Sequence, residues 1–158
     1  IYARHSPPVY RYALRMSGSQ DVAEEVVQDV FLQLVKGCRG FDPAIGPLSS
    51  YLYGLSRNRL ARLWPDQAEV PLEDLDLAGN EPDALEGLSR EQQVESVRTA
   101  VGGLPLAYRE VVVLCDLEEM SYAAAAEMLG VETGTVRSRL HRARKMLLAR
   151  LVRSGVRI

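Results

Sequence analysis

The sequence holds few of the residues that staple small domains or build reactive sites. Two cysteines, Cys38 and Cys115, stand among 158 residues, too few for a disulfide framework or a cysteine-rich zinc cluster. Both are expected as small, buried apolar side chains in a reducing compartment. Aromatics are 6% of the chain, with one Trp and two Phe. Any core must then come mainly from Leu, Val and Ala, a composition suited to helices. No apolar run approaches the roughly 18–20 residues that cross a bilayer, and Ile1 to Tyr12 has no signal-peptide pattern. The expectation is a cytoplasmic protein with no membrane insertion. The chain opens on Ile1 where a Met would stand, so these are not expected to be the native first residues. No segment alternates with a period of two. Everything periodic repeats at 3.6 residues, so no sheet is expected. The adjacent carboxylates Glu24 and Glu25 diverge on a helix, without a conjugate base, metal ligand or nucleophile beside them. No catalytic, metal or cofactor site is expected, and hence no enzyme.

Charge is present but segregated. The net charge is −2. Residues 1–65 carry eight Lys/Arg against five Asp/Glu, residues 66–100 two against ten, and residues 101–158 nine against six. From Thr133 to Ile158 there are eight basic side chains and no acid. Such a local field governs association with polyanions, whatever the average.

The acidic stretch from Asp66 to about Glu86 contains Pro71, Gly79 and Pro82, and its leucines keep no helical period. It reads as a linker, with Pro65 ending the unit before it. This predicts an all-α chain of two small helical domains, residues 1–65 and 89–158, joined by an acidic linker at 66–88. Helices are predicted from Pro8 to Met16, from an Asp21 cap to Gly37, and from Gly46-Pro47 to Trp64. In the second half they are predicted from Ser89 to Val101, Leu106 to Leu117, Ser121 to Leu129, and Thr133 to about Leu151.

Ser121 suits an N-cap, and Gly130 supplies the left-handed residue that ends the short helix after it. Thr133 is expected to cap the next. Two helices joined by a Gly-containing turn of about 3–4 residues form a helix-turn-helix. On the second helix Val136, Leu140, Ala143 and Leu147 make one apolar stripe. Arg137, Ser138, His141, Arg142 and Lys145 occupy the opposite arc, and Arg139 and Arg144 flank the stripe. A helix with one face locked inward and a cationic outer face fits the DNA major groove. A merely solvated face near a helix C-terminus accounts for one or two cations. It leaves eight without an acid unexplained.

The run from Gly134 to Arg144, GTVRSRLHRAR, together with the preceding "LPLAYREVVVLCDLEEMSY", resembles region four of the extracytoplasmic-function sigma factors. The resemblance implies that this helix reads the −35 promoter element. Base or near-base contacts would come from Arg137, Ser138, His141 and Arg142, with Lys145 on the same arc, and phosphate contacts from around Tyr122 and Thr135. Where the family often has acids and an aliphatic after Ser-Tyr, this chain has Ala123, Ala124 and Ala125, which removes a capping box and thins the packing. Cys115 stands where relatives often place an arginine near DNA.

The second predicted helix has a core stripe at Ala23, Val26, Val27, Val30 and Leu34. Its other face bears Asp21, Glu24, Glu25, Gln28 and Asp29, interrupted by Leu32 and Val35. Acids alone would read as a solvated face; apolar residues set among them read as an interface. The segment resembles region two of the same family, which implies docking on core RNA polymerase through Glu25, Gln28, Asp29 and Leu32. The third predicted helix resembles the part of region two that opens the −10 element. Holding unpaired bases needs aromatic or polar surfaces with cations along the phosphates, and Tyr53, Arg57, Asn58 and Arg62 would supply them. The alternative for Tyr53 and Trp64 is that they complete the core. Arg59 falls near the apolar stripe, so either its stem snorkels or the helix bends at Gly54.

The resemblance implies a transcription initiation factor whose partners are core RNA polymerase, promoter DNA and an anti-sigma protein. A conventional helix-turn-helix regulator would explain the C-terminal half equally well without needing core polymerase. A sigma-like interaction module without promoter activity is a second alternative.

Overall fold

The computed structural model describes residues 1–37, 40–63 and 89–155. Among them are seven α-helices and one π-helical segment. Cys38, Trp64 and the linker expected at 66–88 lie outside the described residues.

The first helix, α1 (Tyr2–Ser17), starts a turn and a half earlier than predicted and carries Pro7 and Pro8 inside it. Proline withholds the N–H that would bond a carbonyl four residues back. Here the carbonyls left over belong to the exposed opening turn, where water can serve them. Gly18, at φ 69°, returns its N–H to the Leu14 carbonyl and closes α1. The cap of α2 (Gln20–Val35) is Ser19 rather than Asp21, its side chain accepting from the Val22 N–H. Asp21 sits instead in the first turn, where a negative charge faces the positive end of the helix dipole. Pro47 precedes α3 (Leu48–Leu63) and accepts from the N–H groups of Ser50 and Tyr51.

Ser89 and Gln92 form a reciprocal capping box at the start of α4 (Arg90–Gly102). The predicted single helix from Leu106 to Leu117 is α5 (Leu106–Val111) followed by a π segment, Val112–Leu117. A π turn spends one extra residue per hydrogen bond and so re-aims whatever follows it. Here Glu118 donates its N–H to Val113, and Glu119 turns the chain at φ 56°. Ser121 caps α6 (Tyr122–Leu129), accepting from Ala124, and Gly130 ends it at φ 67°. The cap of α7 (Thr133–Arg153) is Glu132, not Thr133. Its carbonyl, rather than a side chain, receives the first N–H groups, those of Thr135 and Val136.

The core runs through both halves as one cluster. In the N-terminal half Val9, Tyr12, Ala13 and Met16 meet Ala23, Val26, Val27, Val30 and Phe31, closed by Leu52, Tyr53 and Leu60. Leu34, expected in the stripe, is only half-buried, and Phe31 is buried in its stead. In the C-terminal half Leu104, Tyr108 and Val111 to Leu114 pack with Ala125, Ala126 and Leu129 against Val136, Leu140, Ala143 and Met146. The halves touch: α1 packs on α4 and the π segment, and α3 packs on α6. No described helix is long and apolar enough to cross a membrane.

Candidate nucleic-acid interface

The α6–α7 pair builds its surface from the inside out. Val136, Leu140 and Ala143 are at most 1% exposed, which fixes the rotation of α7. Arg137, Ser138, His141, Arg142 and Lys145 must then face outward, and all five are exposed. Tyr122 and Thr135 are half-buried at the edge of this surface. Met146 takes the inner position expected of Leu147, which is half-buried.

The two flanking arginines differ from the outer five. Arg144 is held by Asp116, with Nη2 donating to Oδ1 at 2.6 Å and Nε donating to Oδ2 at 3.0 Å. Those hydrogen bonds raise its pKa above the ordinary guanidinium value, and Tyr122 adds to the effect. Asp116 lies on the π segment, so this pair ties the segment to the outward helix. Arg139 is half-buried. Neighbouring Cys115 is half-buried too, not fully buried as expected. Burial and the Asp116 charge push its thiol pKa up.

In the N-terminal half the predicted residues fall into two groups. Gln28 and Leu32 are exposed on α2, Leu32 at 55% and its neighbour Val35 at 85%. Glu25 and Asp29 lie on the same face, both paired to Arg59 of α3, at 2.6 and 2.5 Å. The Arg59 stem thus snorkels, ending between two carboxylates, as one of the two expected alternatives has it. Beside them a cleft of about 310 Å³ is lined by Asp29, Leu32, Gln33, Asn58, Arg59 and Arg62 among others. The cleft brings residues predicted for polymerase and residues predicted for DNA to one place.

Tyr53 and Arg57 are elsewhere. The Tyr53 ring is 6% exposed, 5.3 Å from the ring of Tyr12, and its hydroxyl donates to Glu118 Oε2 at 3.1 Å. Arg57 is half-buried and donates through Nε to Glu110 Oε1 at 2.7 Å. Burial alone would lower the Arg57 pKa, but the bond and charge of Glu110 raise it above its ordinary value. Both residues face the C-terminal half, while Asn58 and Arg62 face solvent. Glu110 and Glu118, which receive these bonds, are marked by no local pattern in the sequence. Among the described residues no group of three or more His, Cys, Asp or Glu is placed to hold a metal ion.

Compared with known proteins, residues 1–69 match Sigma-70 region 2 and residues 95–147 match Sigma-70, region 4. The chain is 34% identical to the ECF RNA polymerase sigma factor SigM of Mycobacterium tuberculosis, over 96% of this chain and 75% of that protein. It is 32% identical to the ECF RNA polymerase sigma factor SigE of Mycolicibacterium smegmatis, over 93% of this chain. It spans only 58% of that relative's length. Among solved structures, the sigma factor RpoE of Bartonella quintana, in complex with the anti-sigma factor NepR, superposes with a TM-score of 0.69. Identity there is 25%, covering 94% of this chain and 92% of that one. CnrH, in complex with the cytosolic domain of CnrY, gives the same TM-score and identity, over 93% of this chain and 82% of that one. An N-terminal half that matches region 2 is what a conventional helix-turn-helix regulator lacks, and with both regions matched the chain belongs to the extracytoplasmic-function family of RNA polymerase sigma factors.

Proposed function

We propose that this chain is a transcription initiation factor that binds core RNA polymerase and directs it to specific promoters. The observation that carries the reading is α7, an acid-free helix whose inner stripe is packed and whose outer arc is cationic. In this reading residues 89–158 anchor duplex DNA at the −35 element, with Arg137, Ser138, His141 and Arg142 at base edges. Lys145, Tyr122 and Thr135 take phosphates, since phosphate contacts position and base contacts specify. Residues 1–65 dock on core polymerase through Glu25, Gln28, Asp29 and Leu32, and hold unpaired −10 bases with Tyr53, Arg57, Asn58 and Arg62. The 66–88 segment tethers the two contacts and makes them multivalent. The chain catalyses nothing itself; the polymerase makes the bonds. Its place is the cytoplasm, with promoter and polymerase. One structural relative was solved with the anti-sigma factor NepR and the other with the cytosolic domain of CnrY, and an anti-sigma protein is the corresponding partner here.

Run-off transcription with core polymerase on a promoter library tests this directly. The expected result is a selected two-element motif and a complex with core recovered without DNA. No enrichment and no core binding would defeat it.

A further inference from the structure

Glu25 and Asp29 are four residues apart on α2 and so stand one above the other on the same face. Two like charges at that spacing repel, which drives their side chains apart unless something is set between them. Here a guanidinium of α3 is. Arg59 donates through Nη2 to Glu25 Oε1 at 2.6 Å and places Nε 2.5 Å from Asp29 Oδ2. Its side chain is 30% exposed, against 48% and 40% for the two acids, so the cation lies beneath and the carboxylates above it. Arg59 engages one oxygen of each acid, which leaves Glu25 Oε2 and Asp29 Oδ1 to accept from a partner, since a carboxylate has about four lone-pair sites. Gln28 and Leu32, both exposed, follow the pair along the same face of α2.

We propose that Arg59 is a positioning residue for docking on core RNA polymerase. It holds the Glu25 and Asp29 carboxylates side by side as a fixed acidic fork that receives a cation of the polymerase surface. The proposal rests on the core-binding function above and adds a residue that acts through the two acids. Every rotamer-rich side chain that must be immobilised on association weakens binding. Arg59 moves that ordering into the folding of the chain, before any partner arrives. A planar guanidinium suits the task, because its N–H groups leave in fixed directions and reach two acids at once. A lysine ammonium is a point charge on a flexible stem. The arrangement also has a cost in charge. Glu25, Asp29 and Arg59 together carry −1 where the two acids alone would carry −2, so Arg59 weakens long-range attraction to a cationic partner. The two effects act on different rates. Charge acts on association, and an ordered, hydrogen-bonded contact acts on dissociation.

The test measures association and dissociation of the full chain on immobilised core polymerase by biolayer interferometry, with a thermal melt of each variant. Arg59→Ala is expected to dissociate about three- to tenfold faster than the native chain without associating more slowly. Its melting temperature is expected to stay within about 4 °C of native, because the pairs are solvent-exposed. Arg59→Lys, which keeps the charge and loses the planar fork, is also expected to dissociate faster. In a Glu25→Gln background the same Arg59→Ala change should have a smaller effect, since one of the two acids it holds is gone. An unchanged dissociation rate in Arg59→Ala overturns the proposal. A slower one makes Arg59 a competitor of the polymerase cation and overturns it as well. So does an undiminished effect in the Glu25→Gln background, or faster dissociation accompanied by a larger fall in melting temperature. Should Arg59→Ala not fold, Arg59→Lys and its cycle with Glu25→Gln decide by the same criteria. A native chain that does not bind core defeats the function and the positioning role together. Native binding with unaltered rates in the Arg59 variants removes the positioning role alone.

Discussion

Arg142 and Arg144 are two residues apart on one helix, yet replacing them should have different consequences. Arg142 is exposed on the outward arc, and no ion pair or hydrogen bond to its side chain is described. Arg144 is half-exposed and already neutralised by Asp116, which takes two of its N–H groups. Each cation that displaces a counterion from DNA contributes about 0.9 to the slope of log affinity against log salt. Arg142→Ala should therefore lower that slope by about one if Arg142 meets a phosphate, about a three- to fourfold change in the affinity ratio between 50 and 200 mM salt. If Arg142 meets a base edge, the loss is about 1–3 kcal/mol and confined to one position of the site. Arg144→Ala removes a charge that Asp116 compensates, so the slope should hardly move. Its stability cost should stay within about 1 kcal/mol, because the pair lies at the surface. Fluorescence anisotropy of a −35 duplex across a salt series, with thermal melts of all three proteins, separates these outcomes. An Arg144→Ala slope reduced as far as that of Arg142→Ala would refute the division of labour on α7. So would an Arg142→Ala protein with unchanged affinity and slope.

Three further outcomes can be checked with single substitutions. Gly130 sits at φ 67° between α6 and α7, so Gly130→Ala should cost about 1–2 kcal/mol. That lowers Tm by roughly 2–8 °C for a chain this size; Gly130→Asn should recover much of the loss, and an unchanged melt for Gly130→Ala would contradict the turn. Leu32 is 55% exposed on α2, so Leu32→Asp should leave Tm unchanged while weakening the complex with core polymerase. Equal core affinity in a pull-down would remove Leu32 from the docking face. The Cys115 thiol has a raised pKa, and the thiolate is the reactive form. Iodoacetamide labelling of Cys115 followed by mass spectrometry should therefore rise with pH later than that of free cysteine. A midpoint below that of the free thiol would contradict its burial beside Asp116.

What could be read without coordinates was whatever a single helix decides for itself. The outward arc of α7 follows from placing Val136, Leu140 and Ala143 inside, because those positions alone set the helix rotation. Ser89, Ser121 and Gly130 announced the ends of their helices through the hydrogen bonds that only such residues make. Local pattern decides less where partners lie far along the chain. Met146 replaces Leu147 inside because α7 packs on α4, α5 and α6 along its length, so its buried face drifts. The run from Val112 to Leu117 looks the same whether α or π, since both bury apolar residues. Tyr53 completes the core against Tyr12, the alternative that the sequence left open for it. What no local pattern could foresee is the arrival of Glu110 at Arg57 and of Glu118 at the Tyr53 hydroxyl, 53 and 65 residues away.

That arrival also changes the meaning of the charge pattern. Residues 1–65 and 101–158 each carry an excess of three positive charges, so as bodies they repel. Where they meet, two acids of the C-terminal half stand against three cations of the N-terminal half and reverse the sign locally, while one apolar cluster runs through both halves. The arginines of these pairs keep 31–50% exposure, so solvent screens them and each pair contributes little beyond about 1 kcal/mol. The carboxylates, at 3% and 7%, depend on the pairing, since a buried charge left alone costs several kcal/mol. Glu110, paired to Arg57, therefore depends more on a single partner than Glu118, which Arg11, Arg15 and the Tyr53 hydroxyl share. The cationic arc of α7 stays open to solvent, whereas Tyr53 and Arg57 of α3 are covered.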